Sequence, residues 1–128
     1  MRRTRKTIGL MKIKICGLKE SQNIYDIALL EPDYMGFIFY AKSKRFAGEF
    51  LQPSDLHNIR YNTEKTGVFV NENVAVIERI AKKYNFTTLQ LHGNEPPQDC
   101  DYLKQRGYNI IKAFPVSETT DFLFLKRY

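Results

Sequence analysis

The chain has only two cysteines, Cys16 and Cys100, far apart and without metal-type spacing. That scarcity argues against a disulfide framework. With no secretory h-region ahead of them, it points to free thiols in a reducing cytoplasm. No apolar run approaches the roughly twenty residues of a membrane span, so no membrane association is expected. Neither Gly-x-Gly-x-x-Gly nor a P-loop signature occurs, which counts against the common nucleotide-binding sheets. Tandem repeats and low-complexity linkers are lacking as well, so nothing divides the chain.

What remains fits one ordinary domain of 128 residues, 43% hydrophobic and 27% charged, long enough to bury a core. The formal net charge of +6 is unevenly placed. Arg2, Arg3, Arg5 and Lys6 carry four of those charges, and the remainder is only +2. A basic tail can attract phosphate backbones, but this distribution does not predict a nucleic-acid partner. Residues 1–10 read as a disordered basic leader, Met11 as an alternative start, and 11–128 as the domain.

Residues 12–17, Lys-Ile-Lys-Ile-Cys-Gly, alternate with period two and end on a thiol and a glycine. The alternation predicts a strand with Lys12, Lys14 and Cys16 on one face and Ile13 and Ile15 packed on the other. A thiol two residues from an ammonium group is of the reactive kind, since the thiolate is the active form and a cation favours it. The plainer alternative is a small buried filler.

Further apolar, β-rich runs predict strands at 34–40, 65–70, 87–92 and 108–114. Between them, helical spacing predicts helices at 21–30 (Ser21 as N-cap; Ile24, Ile27, Ala28 and Leu30 as the stripe) and at 73–84. A third lies at 97–106, stopped by Gly107 as the C′ residue. A shorter helix is expected near 53–58, and another begins within 117–128. Strand and helix in alternation are the pattern of βαβ units on a parallel sheet. Either a doubly wound sheet or an incomplete (β/α)₈ barrel fits, and in both, ligands bind at the C-terminal strand ends. Those ends are polar: Lys14 with Cys16, then Ser43-Lys44-Arg45, Asn71, Gln90 with His92, and Lys112. Taken singly, each could be a solvated charge or a satisfied half-buried group. Together they suggest an anionic ligand, with Arg45 offering a planar fork to a carboxylate.

KIKICGL (12–18), DYMGFIFYAKSKR (33–45), KTGVFVNEN (65–73), LQLHGNE (89–95) and IIKAF (110–114) resemble, in letters, order and spacing, the phosphoribosylanthranilate isomerases of tryptophan biosynthesis. The resemblance runs from about Met11 to the end. It implies a (β/α)₈ TIM barrel and an Amadori rearrangement of N-(5′-phosphoribosyl)anthranilate, a phosphorylated small molecule, with no metal or organic cofactor. By the same resemblance Cys16 is the general base at ribose C2′, Arg45 receives the anthranilate carboxylate and His92 lines the pocket, where strand parity sets Gln90 beside it. Lys14 is the expected cation for the thiolate from strand parity, because an unperturbed thiol near pKa 8.5 needs such help at neutral pH.

A complete barrel of this kind spans about 200 residues or more, and five strands are counted here. The family's general-acid aspartate, at the end of strand six, and its phosphate loops after strands seven and eight have no match. Asp121 does not correspond to that acid. The expectation is therefore an incomplete barrel, inactive alone. The alternative function is a non-catalytic half-barrel that binds anionic ligands or self-associates through its open edges. The sequence leaves open a truncated product, an associating fragment and a settled open sheet.

Overall fold

The computed structural model describes residues 11–128; the expected basic leader, 1–10, lies outside the described residues. Five parallel strands form one sheet in the order β1-β2-β3-β4-β5. They are β1 Lys14–Cys16, β2 Tyr34–Ile38, β3 Glu64–Phe69, β4 Thr88–Leu91 and β5 Asn109–Lys112. Helices α1 Ser21–Ala28, α2 Val74–Tyr84 and α3 Pro97–Gln105 occupy three of the four crossovers. The β2–β3 crossover instead holds a single 3₁₀ turn, Pro53–Leu56. Strands in sequence order, joined by crossovers, are the winding of a barrel wall and not of a doubly wound sheet, whose order reverses at a switch point.

Register separates the two faces. Met35, Phe37, Phe69, Leu89 and Leu91 are fully buried beneath the helices. Around them Phe37 stacks on Phe86 at 5.8 Å, and Phe39 meets Tyr84 at 5.3 Å. The alternate positions, Lys14, Cys16, Gly36, Thr66, Thr88 and Gln90, lie on the opposite face, the interior side of a barrel wall. Helix α2 shows why its span was readable. Asn73 Oδ1 accepts the Ala75 N–H at 2.8 Å, Ile77, Ala81 and Tyr84 are buried, and Asn85 closes the helix in the left-handed region at φ 55°. Gly107, φ 93°, ends α3 as expected. Among the described residues no helix is long and apolar enough to cross a membrane.

Several expectations are corrected. Ile13 is 57% exposed, because β1 starts only at Lys14 and is an edge strand with nothing covering its approach. Lys12 precedes β1 and reaches the hydroxyl of Tyr34, the register partner of Lys14, at 3.4 Å. Ser21 does not cap α1. Glu20 holds the N-cap position without a side-chain bond, and Ser21 Oγ donates to Asp55 Oδ1 at 2.6 Å. Leu30 is 71% exposed, since α1 ends at Ala28 and the stripe does not continue. The last segment forms a 3₁₀ run, Phe122–Arg127, not an α-helix. Its consecutive apolar residues give no helical stripe, and Phe114, Phe124 and Tyr128 gather instead as edge-to-face rings.

Cys100 sits inside α3, 1% exposed, and burial pushes its thiol pKa above the ordinary value. The folded state therefore holds this proton more tightly than the unfolded chain. The stability it contributes is complete below the unfolded thiol pKa, about 8.5, and is lost as pH rises through the folded value. At pH 8, iodoacetamide should label Cys16 in the native protein and Cys100 only after urea unfolding, as read by peptide mass spectrometry.

Candidate active site

The thiol of Cys16 owes its setting to two glycines. Gly36 faces it from β2 in register, and a Cβ built there would stand 2.7 Å from Cys16 Sγ and 3.1 Å from Lys14 Nζ. Thiol and ammonium thus overhang the same bare stretch of β2, as strand parity predicted for Lys14 and Cys16. Gly17 follows at φ 89°, a conformation that favours glycine. Its missing side chain is where Arg45 lies: a Cβ would be 2.6 Å from both Arg45 Cδ and Nη1. Arg45 Nη1 donates to the Cys16 carbonyl at 3.1 Å, and among the described residues the guanidinium has no carboxylate partner. A turn in which Ser43 Oγ accepts the Arg45 N–H at 3.1 Å brings the Ser43-Lys44-Arg45 loop back to β1.

Gln90 shares this face but stands three strands away, about 14 Å along the sheet at ordinary strand spacing. Its Oε1 is buried with no hydrogen-bond partner, and so is Thr66 Oγ1, one row nearer Cys16. Buried acceptors of this kind are rare. His92 lies one residue past β4 and is exposed; its backbone N–H donates to the Phe69 carbonyl at 2.9 Å. The structure therefore brings Cys16, Lys14 and Arg45 together, and places Gln90 and His92 farther along the same rim.

Lys112 does not join them. It pairs with Leu91 in register and so belongs to the helix-covered face. Its side chain is 7% exposed, with Nζ 3.3 Å from Glu95 Oε1, and it donates to the Gly93 and Ala113 carbonyls at 2.7 and 2.9 Å. All three ammonium hydrogens are thereby used. Asn71, at φ 51°, is likewise structural. Its N–H donates to Glu95 Oε2 at 2.9 Å and its Oδ1 accepts the Asn94 N–H at 2.6 Å.

Glu95, 3% exposed, is the residue sequence reasoning missed. Besides Asn71 and Lys112 it takes the Gly93 N–H at 2.8 Å, so one carboxylate joins the loops after β3 and β4 to β5. Gly36 was the other omission, although a glycine inside a strand is a standing sign of close approach. Among the described residues, no group of three or more His, Cys, Asp or Glu side chains could hold a metal ion. Removing the Glu95 carboxylate strands a buried ammonium and two backbone N–H groups. Glu95→Ala should cost about 3–5 kcal/mol in urea unfolding, with part recovered when Lys112→Met is added.

The thiol, the guanidinium and the polar strand ends occupy the rim where barrel enzymes bind ligands, and comparison with known proteins leads to the same place. A family model described as N-(5′-phosphoribosyl)anthranilate (PRA) isomerase matches residues 13–127. An N-(5′-phosphoribosyl)anthranilate isomerase of Parabacteroides distasonis is 43% identical over 121 residues, which cover 92% of this chain and 54% of the relative. A crystal structure of mutually generated monomers of the dimeric Thermotoga maritima isomerase matches with TM-score 0.72 at 32% identity, covering 92% of this chain and 59% of that one. A phosphoribosylanthranilate isomerase in complex with reduced 1-(o-carboxyphenylamino)-1-deoxyribulose 5-phosphate matches with TM-score 0.71 at 33% identity, covering 84% and 55%. The chain spans about half the length of the curated relatives it matches. By its strands, its strand-end motifs and this match along nearly its whole length, the chain belongs to the N-(5′-phosphoribosyl)anthranilate isomerase family.

Proposed function

We propose that these residues form the proton-abstracting and carboxylate-binding portion of a phosphoribosylanthranilate isomerase site. The observation that carries this reading is the convergence of Cys16 Sγ and Lys14 Nζ over Gly36, with Arg45 anchored on the Cys16 carbonyl. In the rearrangement, an acid first protonates the ribose ring oxygen and the ring opens to an iminium. Cys16, as thiolate, then removes the C2′ proton. The C2′–H electron pair forms a C1′=C2′ double bond while the iminium pair returns to nitrogen, and tautomerisation of the resulting enol gives the 2′-ketone. Arg45 offers its unpaired N–H groups to the anthranilate carboxylate. The Lys14 ammonium faces the thiolate, and Gln90 and His92 line the far side of the pocket.

The acid step is the one these residues do not supply. The buried carboxylate at the strand-end rim, Glu95, is already committed to Lys112 and backbone N–H groups. The 128-residue chain alone is accordingly inactive, yet able to bind the anthranilate end of a ligand. Titration with the reduced carboxyphenylaminodeoxyribulose phosphate should give saturable binding that Arg45→Gln weakens about tenfold or more, with no turnover of N-(5′-phosphoribosyl)anthranilate. Turnover that survived Cys16→Ala would overturn the role given to the thiol.

The free thiols of Cys16 and Cys100 support a cytoplasmic setting. The sheet edges among the described residues are β1 and β5, neither paired with a further strand among them. We infer self-association of the chain through one of these edges. Sedimentation at tens of micromolar should reveal dimers or larger species, and a strict monomer would refute it.

A further inference from the structure

A groove between α2 and the loop after β2 uses none of the residues assigned above. It encloses about 380 Å³, within the range of small-molecule sites. Phe39, Phe46, Ile80 and Tyr84 give it an aromatic and aliphatic lining. Two of the rings are fixed from behind. Tyr84 donates its hydroxyl to the Leu51 carbonyl at 2.9 Å, and Phe39 lies against Tyr84 at 5.3 Å. The third is seated on Gly48, where a Cβ would come within 2.4 Å of Phe46 Cζ. The groove therefore has a fixed floor, in which Phe39 and Tyr84 show only 8% and 4% of their surface, with Phe46 and Ile80 as its more open sides.

Its wall is cationic. Arg79 and Lys83, one helical turn apart on α2, both line the groove and are exposed. Among the described residues neither has a carboxylate partner. Lys83 Nζ stands 5.1 Å from the centre of the Tyr84 ring. The one carboxylate in the lining, Glu72, accepts the N–H of Asn73 at 2.8 Å. Two unpaired cations beside fixed rings select for a ligand that has both a flat apolar body and a negative end. An aliphatic acid matches the flat Phe46 side poorly, and a neutral arene leaves the cations unused.

We propose that this groove binds a planar aromatic carboxylate, its ring among Phe39, Phe46 and Tyr84 and its carboxylate on the Arg79 fork, with Lys83 as the second cation. The groove shares the 41–48 loop with Arg45 but none of its lining residues with the strand-end site, so the two are separable by mutation. 2-Naphthoate titrated into the 128-residue chain, followed by amide chemical shifts and calorimetry, should saturate with shifts at Ala41, Phe46, Gly48 and Ile80. The variant carrying Arg79→Gln and Lys83→Gln, both surface changes, should weaken binding about tenfold or more. Neutral 2-naphthamide should bind the native chain more weakly by a similar factor, and Arg45→Gln should leave the saturable shifts at Gly48 and Ile80 in place. Absence of saturable binding, or equal affinity for the amide, would overturn the proposal. So would loss of binding in Arg45→Gln with the double variant unaffected, a result that moves the ligand to the strand ends and leaves the isomerase reading standing.

Discussion

A carboxylate that is 3% exposed cannot stay charged in a protein interior unless nearly every lone pair is answered, and Glu95 is answered from three directions. Asn71 N–H comes from the loop after β3, Gly93 N–H from the loop after β4, and Lys112 Nζ from the end of β5. Lys112 in turn is satisfied by two backbone carbonyls and lies 4.7 Å from the centre of the Phe114 ring. Each partner is useful to Glu95 only where the fold puts it. The pair therefore ties three strand ends into one rim, and the left-handed turn at Asn71 follows from that tie. On the other side of Glu95, its carbonyl accepts the Tyr128 hydroxyl at 2.8 Å, which draws the last 3₁₀ run onto the same cluster.

The opposite end of the sheet is organised by absence of side chains. Gly36 and Gly17 leave room that Cys16, Lys14 and Arg45 fill, so thiol, ammonium and guanidinium approach the backbone more closely than an alanine would permit. Between these ends the interior face carries Thr66 and Gln90 with buried oxygens that lack partners. The helix-side face, by contrast, is closed by the aromatic packing of Phe37, Phe39, Phe69, Tyr84 and Phe86. The sheet thus has one close-packed face that holds it together and one polar face suited to a ligand.

Much of this was legible beforehand. Period-two alternation located the first strand, apolar β-rich runs the other four, and helical spacing the three α-helices, because burial leaves its mark on local pattern whatever the partner is. Parity put Lys14 on the same face as Cys16, and both overhang Gly36. The misses share a cause. Ile13, Leu30 and Ser21 sit at element boundaries, where one residue more or less changes exposure and the cap, and spacing does not resolve that. Lys112 was read as a rim cation because its type was visible and its face was not: parity within one short strand needs a neighbour to say which side is covered.

Sequence alone determined the alternation of strands and helices, the polar character of the strand ends and the membership in a barrel family, since these rest on local periodicity and on motifs contiguous in the chain. Tertiary structure alone decided which polar groups stand together. Glu95 serves Lys112, Gly93 and Asn71 rather than solvent, Arg45 folds over Gly17, and Arg79 with Lys83 faces an aromatic groove. Such partnerships join positions distant in sequence, and only the register of the sheet and the path of the loops fix the distances on which hydrogen bonds and charge pairing depend.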